Sequence, residues 1–148
     1  MIVRTYANKI DKLPALLTRV CNILAPGQRI SDFIFVGDVV DLYLCIGENL
    51  ARNAINLRGH VYNAGANQPR AVCEVFETIF QLAGRQADLN AVLEMMKGRE
   101  TVGEIKCQDM DHELVNRDFG WPPQHSFDRG VALTIEWFKV YFAHKHGA

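Results

Sequence analysis

The sequence predicts a single α/β domain, and three observations support this class. The chain has 148 residues, of which 49% are hydrophobic, which is enough for one compact core. Segments with the helical spacing of apolar residues alternate with short runs of strand character. Turn-forming residues, such as those at Ala25 to Gln28, separate the segments. Such alternation favours helices packed on a sheet.

The N-terminal residues predict a helix and then a strand. Apolar side chains recur with helical spacing across Ile2 to Lys12, and Pro14 prevents the helix from continuing much further. The following run, ALLTRVCNI, is rich in Leu, Val and Ile and predicts a largely buried strand over Ala15 to Ile23.

A second strand and a second helix are predicted next. Phe33 to Val36 is a short apolar run of strand character, and Asp38 is well placed to cap the helix that follows. The predicted apolar face of that helix consists of Val39, Tyr43, Ile46 and Leu50. His60 to Asn63 then predicts another strand, which is closed by a loop over Gly65 to Gln68.

The clearest helix pattern follows Pro69, because proline is favourable in a first helical turn. Its apolar residues lie at i, i+3, i+4, i+7 and i+8: Val72, Val75, Phe76, Ile79 and Phe80. Asp88 is expected to cap a shorter helix, and a polar loop is predicted over Lys97 to Glu100. The apolar residues of the shorter helix are Leu89, Val92, Leu93 and Met96.

The last third of the chain predicts a strand and two helices. Val102 to Cys107 has strand character. Asp111 is expected to cap a brief helix that ends near Gly120. Ser126 is a good N-cap for a final helix through Phe142.

Composition excludes several function classes. The formal net charge is −1 and no basic stripe is present, so we expect neither a nucleic-acid nor a membrane partner. No apolar run approaches the roughly 20 residues that span a bilayer, and the N-terminus lacks a signal-peptide pattern, so a cytoplasmic location is expected. The four cysteines are widely spaced and are expected to be buried free thiols rather than disulfides or metal ligands: Cys21, Cys45, Cys73 and Cys107.

Four stretches carry a more specific pattern. They are LPALLTRVCNILAPGQ, SDFIFVGDVVDLYLCIGENL, RGHVYNAGANQPRAVCEVFETIFQLAG and GEIKCQDMDHELVNRDFGWPPQHSFDRGVALTIEWF. In that order they resemble LPxxxxRxxNxYGPGQ, RDFIYVEDVVDAxLxxxE, GxxFNxGSGxPxSVxEVxExIxxLxG and GDVRxxxADxSKAxxxLGWxPxxSLEEGLxxTIxWY. These are motifs of the extended short-chain dehydrogenase/reductase family, in particular of its NAD-dependent sugar-nucleotide epimerases and dehydratases.

The resemblance implies how the chain is organised. A single domain over residues 1–148 would combine two parts. Residues 1–50 would be the remnant of a truncated Rossmann-like sheet, and residues 51–148 would resemble the small α/β substrate-binding domain of the family.

Three residues are candidates for binding a sugar nucleotide through this resemblance. Asn22 matches an asparagine that faces the sugar or the nicotinamide, although an ordinary turn asparagine is the alternative. Lys106 matches a basic position that meets the substrate pyrophosphate, and a solvated strand lysine is the alternative. Arg29 lies in a polar loop from which it could also reach phosphate.

Other expected residues are absent from the sequence. It contains no GxxGxxG turn for a dinucleotide, so no cofactor is expected. The family's catalytic Tyr-x-x-x-Lys pair is not matched by Tyr6 and Lys9, which are one residue too close, so no catalytic residue is assigned. Ser31 stands where the family has an arginine that helps hold the nucleotide phosphates. The acidic residues around His112 are expected to be solvated rather than to bind a metal.

These observations lead to one functional hypothesis and two alternatives. The chain is interpreted as a truncated relative of sugar-nucleotide epimerases and dehydratases that is inactive alone, a pseudoenzyme that binds a nucleotide sugar weakly. One alternative is a structural or regulatory protein, most simply a homodimer or other homo-oligomer, or one that associates with a full-length relative. The other is a subunit completed in trans by a cofactor-binding chain.

Overall fold

The computed structural model of the protein describes residues 29–57, 59–96 and 105–146. Three short strands and five helices lie in these residues. In chain order they are β1 (Ile30–Asp32), α1 (Val36–Leu57), β2 (Pro69–Ala71), α2 (Val72–Leu82), α3 (Gln86–Met96), β3 (Cys107–Gln108), α4 (Glu113–Phe119) and α5 (Phe127–His146). The predicted α/β class is confirmed.

Several sequence predictions fall on other residues. The helix over Ile2 to Lys12, the strand over Ala15 to Ile23 and the loop over Lys97 to Glu100 lie outside the described part of the chain. Of the strand predicted over Val102 to Cys107, the last residue is the first residue of β3.

The three strands form one sheet with the order β2-β1-β3. β1 and β3 are parallel, and their register pairs Ile30 with Cys107 and Ser31 with Gln108. Just before β1, the carbonyl of Arg29 accepts a hydrogen bond of 2.8 Å from the backbone N–H of Val72. Among the described residues β1 is the central strand of this sheet, and β2 and β3 lie at its two edges.

The described residues form two compact units. The first contains Arg29 together with the described parts of Ala71–Lys106 and Val131–Ala148, and the second contains those of Ile30–Arg70 and Cys107–Gly130. The division into residues 1–50 and 51–148 made from the sequence stays a prediction.

The second unit has its core between α1, α4 and the segment after α4. Leu42, Val115 and Trp121 are buried there, and the partly buried residues packed against them are Ile34, Ile46, Tyr62, Ala64 and Phe119. The predicted apolar face of α1 was partly wrong, because Tyr43 is 70% exposed while its neighbour Leu42 is buried.

The reason lies at the start of α1. Asp38, Leu42 and Ile46 are spaced four residues apart and therefore share one helical face. Asp38 is the third residue of α1 and is fully buried, so it is not the N-cap predicted from the sequence. One carboxylate oxygen accepts the backbone N–H of His125 at 3.2 Å, and the other lies 2.7 Å from His125 Nδ1. A buried carboxylate needs such donors, since it has left water.

The predicted strands of this region were misplaced. The strand expected over Phe33 to Val36 lies three residues earlier, in β1, and His60 to Asn63 is not a strand. The rings that suggested the first of these strands serve in packing instead. Phe33 is edge-to-face with Phe127 at 6.0 Å, and the Phe35 ring lies 4.9 Å from that of His125.

In the first unit both predicted helices, α2 and α3, are present, although their predicted starts were misplaced. α2 buries Val72, Phe76 and Phe80, as its periodicity predicts, and it packs against α3. α3 buries Leu89 and Val92. Pro69, however, belongs to β2 rather than to the first turn of α2. Asp88 is the third residue of α3 rather than its N-cap, and it accepts a hydrogen bond from Arg85 Nε at 2.6 Å.

Gly120 and Ser126 stand where the sequence predicted the end of α4 and the N-cap of α5. Gly120 ends α4 in the left-handed conformation, with φ 65°, which glycine adopts without strain. Asp111 is not the N-cap of α4 that the sequence predicted, because His112 holds that position; the Asp111 carboxylate accepts the N–H of Glu113 at 2.8 Å instead. Ser126 Oγ accepts the N–H of Arg129 at 3.3 Å and caps α5. α5 continues to His146, past the predicted end at Phe142.

Replacing Asp38 by Ala should destabilise the fold by about 2–4 kcal/mol, because two donors of His125 would lose their acceptor. Urea unfolding followed by circular dichroism measures this change. Asp41→Ala, at an exposed position of the same helix, is the matched control and should have little effect. Equal losses in the two variants would contradict a special role for Asp38.

Candidate functional site

Two of the three predicted binding residues lie in the described part of the chain, and Asn22 lies outside it. Arg29 is half-buried and directly precedes β1, whereas Lys106 is exposed and directly precedes β3. Because Ile30 pairs with Cys107 in parallel register, carrying the register back by one residue puts Arg29 beside Lys106. Two cations therefore start neighbouring strands, an arrangement that suits an anionic ligand.

A second group of polar side chains joins the segment before β2 to α4. The Tyr62 hydroxyl donates to Asp118 at 3.0 Å and lies 3.2 Å from His60 Nδ1. Arg117 Nε donates to the other carboxylate oxygen of Asp118 at 2.9 Å. The sequence analysis did not find this cluster, whose members lie far apart in the chain.

The contacts in this cluster shift the pKa values of Asp118 and Tyr62 in opposite directions. The hydrogen bond from Arg117 is the main cause that lowers the pKa of Asp118, and the Tyr62 hydrogen bond adds to it. Partial desolvation, followed by the hydrogen bond to Asp118, raises the pKa of Tyr62. Both shifts favour the state in which Tyr62 is neutral and Asp118 is ionised.

The turn before β2 leaves no room for a side chain at Gly65, a position that matches a glycine of the family motif. Asp32, at the end of β1, accepts the backbone N–H groups of Asn67 at 3.0 Å and Gln68 at 3.3 Å. A Cβ at Gly65 would collide with the Asp32 carboxylate and with the carbonyl of Met110. Asn67 adopts φ 53° and accepts the N–H of His112 at 3.3 Å. The backbone of the turn therefore packs closely against the end of β1 and against the segment before α4.

Arg70 was not singled out by the sequence analysis. It lies in β2, and its guanidinium carbon is 4.7 Å from the centroid of the Phe127 ring. Its Nε is buried and has no hydrogen-bond partner. Phe127 lies 57 residues after Arg70, and only the fold brings the two together. The sequence therefore contained no signal for this contact.

Cysteines and acidic residues provide no metal site in residues 29–57, 59–96 and 105–146, where no three His, Cys, Asp or Glu side chains could share an ion. Cys45 and Cys73 are half-buried free thiols. Cys107 is free but exposed, which corrects the prediction that it is buried. The reason is its place on the edge strand β3. None of the described helices is both long and apolar enough to cross a membrane.

The four motifs resemble those of the extended short-chain dehydrogenases/reductases, and comparison with known proteins shows a relationship of this chain to dTDP-glucose 4,6-dehydratases. The dTDP-glucose 4,6-dehydratase of Shigella flexneri is 24% identical over 127 residues, 85% of this chain and 34% of that protein. The dTDP-D-glucose 4,6-dehydratase of Homo sapiens is 26% identical over 138 residues, 90% of this chain and 37% of that protein. No protein-family model matches the chain.

Solved structures agree on the fold. The chain is similar to dTDP-glucose 4,6-dehydratase from Bacillus anthracis str. Ames in complex with NAD, with a TM-score of 0.59 and 22% identity over 88% of this chain and 39% of that one. It is also similar to RMD from Pseudomonas aeruginosa complexed with NADPH, with a TM-score of 0.61 and 19% identity over 90% of this chain and 44% of that one.

The chain spans about a third of the length of the curated relatives it matches. The prediction that it corresponds to the C-terminal part of an extended short-chain dehydrogenase/reductase of the sugar-nucleotide dehydratase kind is confirmed. The individual roles of Asn22, Arg29 and Lys106 stay predictions.

Tyr62→Phe should reveal the pKa shifts of the cluster through the pH dependence of unfolding. The lowered pKa of Asp118 stabilises the fold above the ordinary carboxyl range, and this contribution is lost as the pH falls through the folded-state pKa. The raised pKa of Tyr62 stabilises the fold below the ordinary phenol range, and this contribution is lost as the pH rises through its folded-state pKa.

The free energy of unfolding of the native chain should therefore exceed that of Tyr62→Phe by a constant amount from roughly pH 5 to 9. The difference should become smaller below and above this range. Urea unfolding at a series of pH values measures it. The phenylalanine keeps the ring that packs at 5.0 Å against Phe119, so packing is controlled. A difference that does not change with pH would contradict the proposed hydrogen bond.

Proposed function

We propose that the chain binds the diphosphate of a nucleotide sugar through Arg29 and Lys106, with weak affinity, and that it carries out no redox chemistry alone. The observation that supports the proposal is the parallel register of β1 and β3, which, carried back by one residue, puts the cations Arg29 and Lys106 beside each other just before the two strands. Two adjacent cations match the charge of a diphosphate. The relationship to dTDP-glucose 4,6-dehydratases supports a sugar nucleotide as the ligand class.

Catalytic inactivity of the chain alone is part of this proposal. The sequence has no GxxGxxG turn, and Tyr6 and Lys9 do not have the spacing of a Tyr-x-x-x-Lys pair. Dehydration by the related enzymes therefore stays a property of those proteins. If a cofactor-binding chain completes the site in trans, the residues present here would supply the phosphate contacts.

Lys106→Ala should remove the stabilisation that a nucleotide sugar gives to the protein. A ligand at 100 times its dissociation constant adds about 2.7 kcal/mol to the free energy of unfolding, which a thermal-shift assay with UDP- and dTDP-glucose detects. Lys139→Ala, which removes an exposed lysine of α5 paired with Glu136, is the charge-matched control. An unchanged melting temperature of the native protein at millimolar ligand would contradict the proposal.

A second candidate function is self-association, and one surface favours it. We call the face of α5 formed by Trp137, Val140, Tyr141 and His144 the aromatic face. Trp137 is 57% exposed and stacks on Tyr141 with ring centroids 5.0 Å apart. Glu136 and Lys139 lie beside it. In a twofold antiparallel pair, each Glu136 could meet the Lys139 of the other copy, so the surface can be self-complementary.

Under this candidate function, the double substitution Trp137→Ser with Tyr141→Ser should convert a dimer to a monomer, because apolar area is what the two copies would bury. Sedimentation equilibrium at micromolar concentration measures the mass. Tyr43→Ser, at an exposed aromatic position of α1, is the control and should leave the mass unchanged. A native protein that is already monomeric would rule out this candidate.

A further inference from the structure

Arg70 carries a charge that no carboxylate balances. Among the described residues no ion pair includes it, and its buried Nε has no hydrogen-bond partner. In the same unit Arg52 and Arg117 each pair with a carboxylate, whereas Arg129 has no ion pair among the described residues but is exposed to solvent. An arginine stays protonated in proteins, and a partly buried cation without an anion is costly. The Phe127 ring offsets only part of that cost.

The strands place two more polar side chains beside Arg70. Val72 donates to the carbonyl of Arg29 at the start of β1, while Asp32 at its end contacts the N–H groups before β2. These contacts imply that β2 runs antiparallel to β1 and that Arg70 lies opposite Ser31. Directly opposite residues share one face of a sheet, with Cβ atoms about 5 Å apart.

The row continues onto the edge strand. Ser31 is in register with Gln108 of β3, so Arg70, Ser31 and Gln108 lie side by side across the three strands. No hydrogen bond of the Ser31 hydroxyl or the Gln108 amide occurs within the described ranges. Gln108 is exposed, which leaves this end of the row open to a ligand. A guanidinium, a hydroxyl and an amide therefore form one group of donors.

We propose that Arg70, with Ser31 and Gln108, binds a phosphate or diphosphate group. The planar guanidinium offers several N–H donors in a fork that matches phosphate oxygens, and the hydroxyl and amide can donate to the same group. The carboxylate of Asp32, the nearest acidic residue in β1, accepts the N–H groups of Asn67 and Gln68. This proposal adds a third cation to the diphosphate site of the proposed function and rests on it for the class of ligand. Because pyrophosphate contains neither a sugar nor a nucleoside, its binding can still be measured separately from that of a nucleotide sugar.

The experiment titrates inorganic phosphate and pyrophosphate at constant ionic strength and follows binding by ³¹P NMR. The native protein should bind pyrophosphate saturably, and Arg70→Ser should weaken the affinity by about tenfold or more, because a charge-assisted hydrogen bond is lost. Arg52→Ser, at an exposed position of α1, removes the same charge and should leave affinity unchanged. Circular dichroism shows whether each variant is folded.

A swap across the two strands separates binding from folding. Ser31→Arg combined with Arg70→Ser moves the guanidinium to the opposite strand and should restore most of the lost affinity. If Arg70 serves only to pack on Phe127, Arg70→Ser will lower stability in the absence of any ligand and pyrophosphate will not bind the native protein. That result, or equal affinity in the native and Arg70→Ser proteins, would overturn the proposal. Binding of pyrophosphate without binding of nucleotide sugars would contradict only the proposed function.

Discussion

The buried carboxylate of Asp38 is the constraint on which the second unit depends. It lies in the first turn of α1 without solvent exposure, and both of its oxygens are used by His125. Because His125 directly precedes the cap of α5, the same contact fixes where Ser126 and Phe127 begin that helix. The Phe127 ring in turn supports the guanidinium of Arg70. The buried Asp38 side chain thus helps to position Arg70 through His125 and Phe127.

How much the sequence could predict depended on the strength of its periodicity. α2 repeats apolar residues over eleven positions, and its buried residues were predicted correctly. The strands are two or three residues long, too short for an alternating pattern, and the Phe33 and Phe35 rings pack on residues far along the chain. Capping at Gly120 and Ser126 is local chemistry and was predictable, whereas Asp38 looked like a cap because its partner lies 87 residues away.

The site was predictable only where a resemblance supplied the positions. Lys106 came from a motif and Arg29 from a polar loop between two motifs, and the register of β1 and β3, carried back by one residue, puts them side by side. Arg70 has no counterpart in those motifs, and the contacts between β2 and β1 that imply its position opposite Ser31 are not visible in the sequence. The proposed site would thus present a guanidinium from β2 beside the position of Ser31.

The proposed function depends on affinity of the sheet end formed by β1 and β3 for a diphosphate. A ¹H–¹⁵N correlation NMR titration of the protein with dTDP-glucose tests it most directly, because each amide reports its own surroundings. If the diphosphate binds there, the largest shifts will occur at Arg29 to Ser31 and at Lys106 to Gln108, and they will saturate. Absence of saturable shifts, or shifts confined to the aromatic face of α5, would contradict it.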